Sequence, residues 1–115
     1  MKPSPLGKDR QRQDVTLTDP WQPAVLHLIA ITAEAGRQVG KPVGVCGEAA
    51  ADPLLAVALI GMGITSLSMA SAAVRPVGAQ LSMVTMSTCF EAAEVALSAA
   101  DPMSGREAVR TLLTS

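Results

Sequence analysis

The sequence predicts an α/β chain wired from βα units. Two short runs, Val43–Cys46 and Ser66–Met69, read as strands, and a helical stretch follows each after a brief loop. Asp-Pro pairs at 19–20, 52–53 and 101–102 each stand ahead of a helical segment. Asp caps a helix by accepting backbone N–H bonds, and Pro just inside the start forfeits no bond the helix needs. The third observation is compositional. Hydrophobic residues make up 49% and aromatic residues only 2%, so the core is built from Ala, Val, Leu, Ile and Met, which bury less area per residue than Phe and Tyr.

The elements follow in order. Residues 1–18 are polar and carry Pro3, Pro5 and Gly7, which marks a loop or a frayed terminus. The first helix runs from Pro23 to Val39, with Val25, Leu28, Ile29 and Thr32 on one face, and Gly40 ends it. The strand Val43–Cys46 comes next. A second helix from Pro53 to Ile60 is apolar all round and therefore deeply packed, with Gly61 and Gly63 as its stop. The strand Ser66–Met69 leads to a third helix from Arg75 to Val84, with Pro76 in its first turn. Two closing helices span Cys89–Ala99 and Ser104–Leu113.

Short connections between strands and helices imply parallel strands covered by helices. Two strands alone do not make a stable parallel sheet, so the pattern reads as part of something larger. A (β/α)₈ barrel takes about 250 residues, and its last two βα units plus closing helices would look like this. The expectation is a TIM-type barrel portion over residues 19–115.

Composition excludes several functions. With 115 residues, a net charge of −1 and a pI near 5.7, the chain offers no basic patch for nucleic acid or anionic lipid. The longest apolar run, Pro53–Ile64, is shorter than the roughly 20 residues a bilayer span needs. No apolar signal segment opens the chain. Two cysteines without a disulfide-rich pattern point to free thiols in a reducing cytoplasm.

Three blocks carry a resemblance. They are Gly44-Val45-Cys46-Gly47-Glu48, then Gly61-Met62-Gly63 with its helix, then Ser66-Leu67-Ser68-Met69. In this order they resemble the C-terminal end of the PEP-utilising enzymes. Within that family they are most similar to the phosphoenolpyruvate–protein phosphotransferases, the enzyme I group of bacterial phosphotransferase systems. Pyruvate phosphate dikinase and PEP synthase match less well after the Cys-Gly pair. The resemblance covers residues 18–113 and extends to the closing helices. It implies a PEP-binding barrel that passes the phosphoryl group of PEP, with Mg²⁺, to a histidine on a separate domain. The phosphate then goes to the carrier protein HPr. The resemblance further implies a homodimer.

It also implies roles for residues. Cys46, at the C-terminal end of a strand where barrel active sites sit, would protonate the enolate to give pyruvate. A thiol keeps its proton at neutral pH yet can give it up. Without the resemblance, the reading the residues favour for Cys46 is a small buried hydrophobe. Gly47 would bind substrate closely by leaving no side chain in the way. Arg10 stands roughly where the family has a substrate-binding arginine, although "MKPSPLG" replaces the residues expected before it. Glu48 would orient the loop. Ser68 and Met69 end the second strand beside the same pocket, with Met69 reading as core. Cys89 reads as inert, at a helix start. His27, mid-helix among Leu26, Leu28 and Ile29, reads as a surface histidine and not the phosphorylated one. No residue here is expected to ligate metal, because the family's Mg²⁺ carboxylates lie upstream. Two rival readings remain: a non-catalytic dimerisation or interaction module derived from the same barrel, and a small domain of unrelated function.

Overall fold

The structure is a computed structural model that describes residues 19–115. The element order is α1 (Pro23–Gln38), β1 (Gly44–Cys46), α2 (Glu48–Ala51), α3 (Pro53–Gly61), β2 (Ser66–Ser68), α4 (Ser71–Leu81), α5 (Met86–Ser98) and α6 (Pro102–Thr114). The described chain is thus mostly helical with one small sheet, an α/β arrangement. No described helix is long and apolar enough to cross a membrane.

The two strands pair in parallel, with Gly44 opposite Ser66, Val45 opposite Leu67 and Cys46 opposite Ser68. Successive strand residues point to opposite faces. Val45 and Leu67 pack toward the helical core, while Gly44, Cys46, Ser66 and Ser68 are exposed on the other face. Parallel sheets are ordinarily covered on both faces; the described residues cover only one.

Helix α3 is the centre of the core. Leu55 through Leu59 are fully buried, as the all-apolar sequence requires. Leu26 and Ala33 of α1, Cys89, Ala92 and Ala96 of α5, and Val109 of α6 close around it. With so few aromatic rings, the helices approach closely over alanine and glycine. A Cβ at Gly61 would run into the backbone carbonyl of Cys89 and lie 3.1 Å from the Ala93 Cβ. Gly61 is the last residue of α3, where the sequence reading ends the helix, and it is also the contact point with α5.

Other boundaries also shift. Both strands are a residue shorter than expected. The face of α1 that packs inward is Leu26, Ile29, Ala33 and Gly36, whereas Leu28 is 64% exposed. Helix α4 starts at Ser71, which puts Pro76 in its interior. Pro removes one ladder bond there, yet the helix continues through it, with Val77 buried beside it. Helix α5 starts at Met86 on a Thr85 cap, whose hydroxyl accepts from the Thr88 N–H at 3.2 Å. Cys89 consequently sits one turn inside α5 and is buried. The one-turn helix α2 was not foreseen.

The Asp-Pro pairs divide. Asp52 caps α3, accepting from Leu54 N at 3.0 Å, and Asp101 caps α6, accepting from Ser104 N at 2.8 Å. Asp19 accepts from Trp21 N at 2.9 Å in the turn before α1, whose N-cap is Gln22. It shapes the approach to the helix without capping it.

Candidate functional site

Cys46 is the last residue of β1, and its side chain lies on the open face of the sheet. The thiol is free and exposed. Its register partner across the ladder is Ser68, the last residue of β2 and also exposed. Neighbouring strands lie about 4.8 Å apart, so the two side chains stand side by side at the C-terminal ends of both strands. Met69 follows at once; it is half-buried and lies outside the core cluster, so it is not the core residue expected.

The chain leaves β1 through Gly47, at φ +89° and ψ −148°. That backbone region is reached by glycine and is strained for other residues. The Gly47 N–H donates to the Ser68 carbonyl at 3.0 Å, which extends the ladder past Cys46. No atom lies within 4 Å of where a Gly47 Cβ would be. Conformation, not crowding within the described residues, is therefore what asks for glycine. Glu48 begins α2 and is exposed.

Six residues past Cys46, the Asp52 carboxylate gathers four donors. Oδ1 takes the Leu54 and Leu55 N–H groups at 3.0 and 3.4 Å. Oδ2 takes Trp21 Nε1 at 2.9 Å and Arg106 Nη1 at 2.8 Å. The Arg106 guanidinium also lies 6.0 Å from the centroid of the buried Trp21 ring, within reach of a cation–π attraction. Sequence reasoning found the cap and missed the cluster, because 31 and 54 residues separate Asp52 from Trp21 and Arg106.

The remaining candidates separate from this site. Arg10 lies outside the described residues. His27 is exposed on α1, as expected, and its Nε2 lies 3.0 Å from the Leu97 carbonyl near the end of α5. Cys89 is also free, and burial pushes its thiol pKa up. Among the described residues no three of His, Cys, Asp and Glu converge as a metal-binding group. They do not fit a Mg²⁺ ion.

Comparison with known proteins then decides the family. The family model for "PEP-utilising enzyme, PEP-binding domain" matches residues 4–86. The chain belongs to the PEP-utilising enzymes. Its relatives include the phosphoenolpyruvate-protein phosphotransferase of Streptomyces coelicolor, 50% identical over 110 residues, covering 95% of this chain and 20% of that protein. The phosphotransferase of Bacillus subtilis is 36% identical over 70% of this chain and 14% of its own length. That of Geobacillus stearothermophilus is 34% identical over 81% of this chain and 16% of its own length. The chain thus spans a fifth or less of these relatives. The names of all three describe transferases.

Proposed function

We propose that residues 19–115 supply the last two βα units and closing helices of a (β/α)₈ barrel, and that Cys46 protonates the enolate during phosphoryl transfer from PEP to a protein histidine. The observation that carries this reading is the place of Cys46: an exposed thiol at the C-terminal end of a parallel strand, on the uncovered face of the sheet, followed by a positive-φ glycine. In a barrel that uncovered face is the interior, and the C-terminal strand ends form the active-site mouth.

The chemistry balances with this chain supplying the proton. The bond from phosphorus to the enol oxygen of PEP breaks as a bond to the histidine nitrogen forms, which leaves the enolate of pyruvate. The methylene carbon of the enolate takes the proton from Cys46 Sγ, and the thiolate regains one from water. Gly47 gives the substrate access to the thiol, and Ser68 offers a hydroxyl on the same face. Arg10, carried over from the family pattern, would hold a phosphate or carboxylate oxygen. The histidine, its delivery of phosphate to HPr and the cytoplasmic setting belong to the same reading. So does the homodimer, which the exposed Leu28, Ile31 and Phe90 support as apolar contact surface.

The test uses a full-length phosphotransferase carrying this sequence, made by substituting it for the matching region of the Streptomyces coelicolor relative. With labelled PEP and Mg²⁺ it is expected to label HPr, whereas the isolated 115-residue chain leaves HPr unlabelled. A folded chimera that binds PEP but transfers nothing, or labelling by the isolated chain, would overturn the reading.

A further inference from the structure

We propose that Asp52 is a positioning residue for Cys46, held by Trp21 and Arg106. The inference rests on the reading of Cys46 given above. Only Gly47 and the single turn of α2 separate Cys46 from Asp52. The near end of that turn is fixed by the Gly47 N–H on the Ser68 carbonyl, and Ala51 N donates back to the Gly47 carbonyl at 3.2 Å. The far end is fixed by the Asp52 carboxylate. Its Oδ1 starts α3, the most deeply buried helix, and its Oδ2 reaches outward to the turn before α1 and to α6.

The arrangement is rigid for a physical reason. The Asp52 side chain is only 18% exposed, and each of its oxygens accepts two donors. Hydrogen bonds to a charged group that is largely withdrawn from water are the strong ones. Three segments distant in sequence therefore converge on one carboxylate at the end of a four-residue helix. A helix of one turn has little stability of its own, so its placement depends on its two ends and on the packing of Ala49 and the buried Ala50. If the outward tie is lost, the far end of α2 loses one of its holds, and its motion is passed through the Gly47 turn to the thiol beside it. Shifts of about 1 Å remote from the chemistry can cost as much as about 100-fold in rate.

A residue acting through Cys46 has a signature that general loss of stability does not share. The experiment compares Asp52→Asn with the parent in the full-length chimera, each with Cys46 intact and with Cys46→Ala. Steady-state pyruvate release and single-turnover phosphohistidine formation are both measured. With Cys46 present, Asp52→Asn is expected to slow pyruvate release about 10-fold while phosphohistidine formation stays within about 2-fold. With Cys46→Ala, it is expected to add no further loss, because the group it positions is gone. Trp21→Phe removes one donor and keeps a ring in the core. It is expected to show the same pattern with a smaller loss, and it serves if Asp52→Asn does not fold. Equal losses in both Cys46 backgrounds, equal slowing of both steps, or no loss at all would overturn the proposal and leave the Cys46 reading standing. If Cys46→Ala itself leaves pyruvate release unchanged, that reading fails and this proposal falls with it.

Discussion

Gly61 of α3 lies directly against the backbone carbonyl of Cys89 in α5. Backbone cannot swing aside as a flexible side chain can, so a methyl group there must push two helices apart. Gly61→Ala is expected to destabilise the chain by about 1–3 kcal/mol, the usual range for an overpacked core. Gly78, with nothing within 4 Å of its Cβ position, is the control. Gly78→Ala, in the interior of α4, is expected to be neutral or stabilising by up to about 1 kcal/mol. Denaturant midpoints of the two variants check this, and a neutral Gly61→Ala would contradict the packing argument.

The two thiols are expected to differ sharply in reactivity. Cys46 is exposed, whereas Cys89 is 3% exposed and burial pushes its pKa up. The thiolate is the reacting species, so both burial and the raised pKa slow Cys89. Ellman's reagent on the native chain is expected to titrate one thiol quickly and the second only on unfolding. Cys46→Ala is expected to abolish the fast phase. Two equally fast thiols would place Cys89 at the surface, against the packing of α5.

Much of this arrangement was legible in the sequence, and the failures have physical causes. The two strands and their parallel relation followed from two short runs, Val43–Cys46 and Ser66–Met69, with brief connections to helices. The burial of α3 followed from its lack of any polar face. The caps at Asp52 and Asp101 followed from the chemistry of Asp-Pro. Reading Pro76 as a first-turn residue failed because the helix starts at Ser71 and runs through the proline, against the local rule. Gly61 does end α3, but its second use, admitting a close neighbour, is invisible in one dimension because glycine's two uses look identical there. Of the site, the turn from Cys46 through Gly47 was visible as a motif. The junction of Trp21, Asp52 and Arg106 was not, because no local pattern joins a tryptophan before α1 to an arginine in α6.

The cap on α6 carries a pH dependence. The Ser104 backbone N–H bonded to the Asp101 carboxylate holds its pKa below the ordinary value of 3.8. A depressed folded-state pKa contributes stability that is fully present above 3.8 and is lost as pH falls through the lower folded value. Acid is therefore expected to fray the start of α6. Asp101→Asn keeps a capping oxygen and is expected to remove this part of the acid sensitivity. Hydrogen exchange of the first turn of α6 across pH 2 to 5 would show it. An identical acid profile in the parent and Asp101→Asn would mean that the cap does not titrate as argued.

The central claim concerns the proton that Cys46 gives to the enolate, and one comparison tests it most directly. In the full-length chimera, steady-state pyruvate release and single-turnover phosphohistidine formation are measured for the parent, Cys46→Ala and Cys46→Ser. A positioned general acid contributes about 10²–10⁴-fold, and a hydroxyl is a far weaker acid than a thiol. Both variants are expected to lose pyruvate release on that order while still forming phosphohistidine from PEP in part. Unchanged pyruvate release in both variants would contradict the account and leave Cys46 as no more than an exposed thiol at the end of a strand.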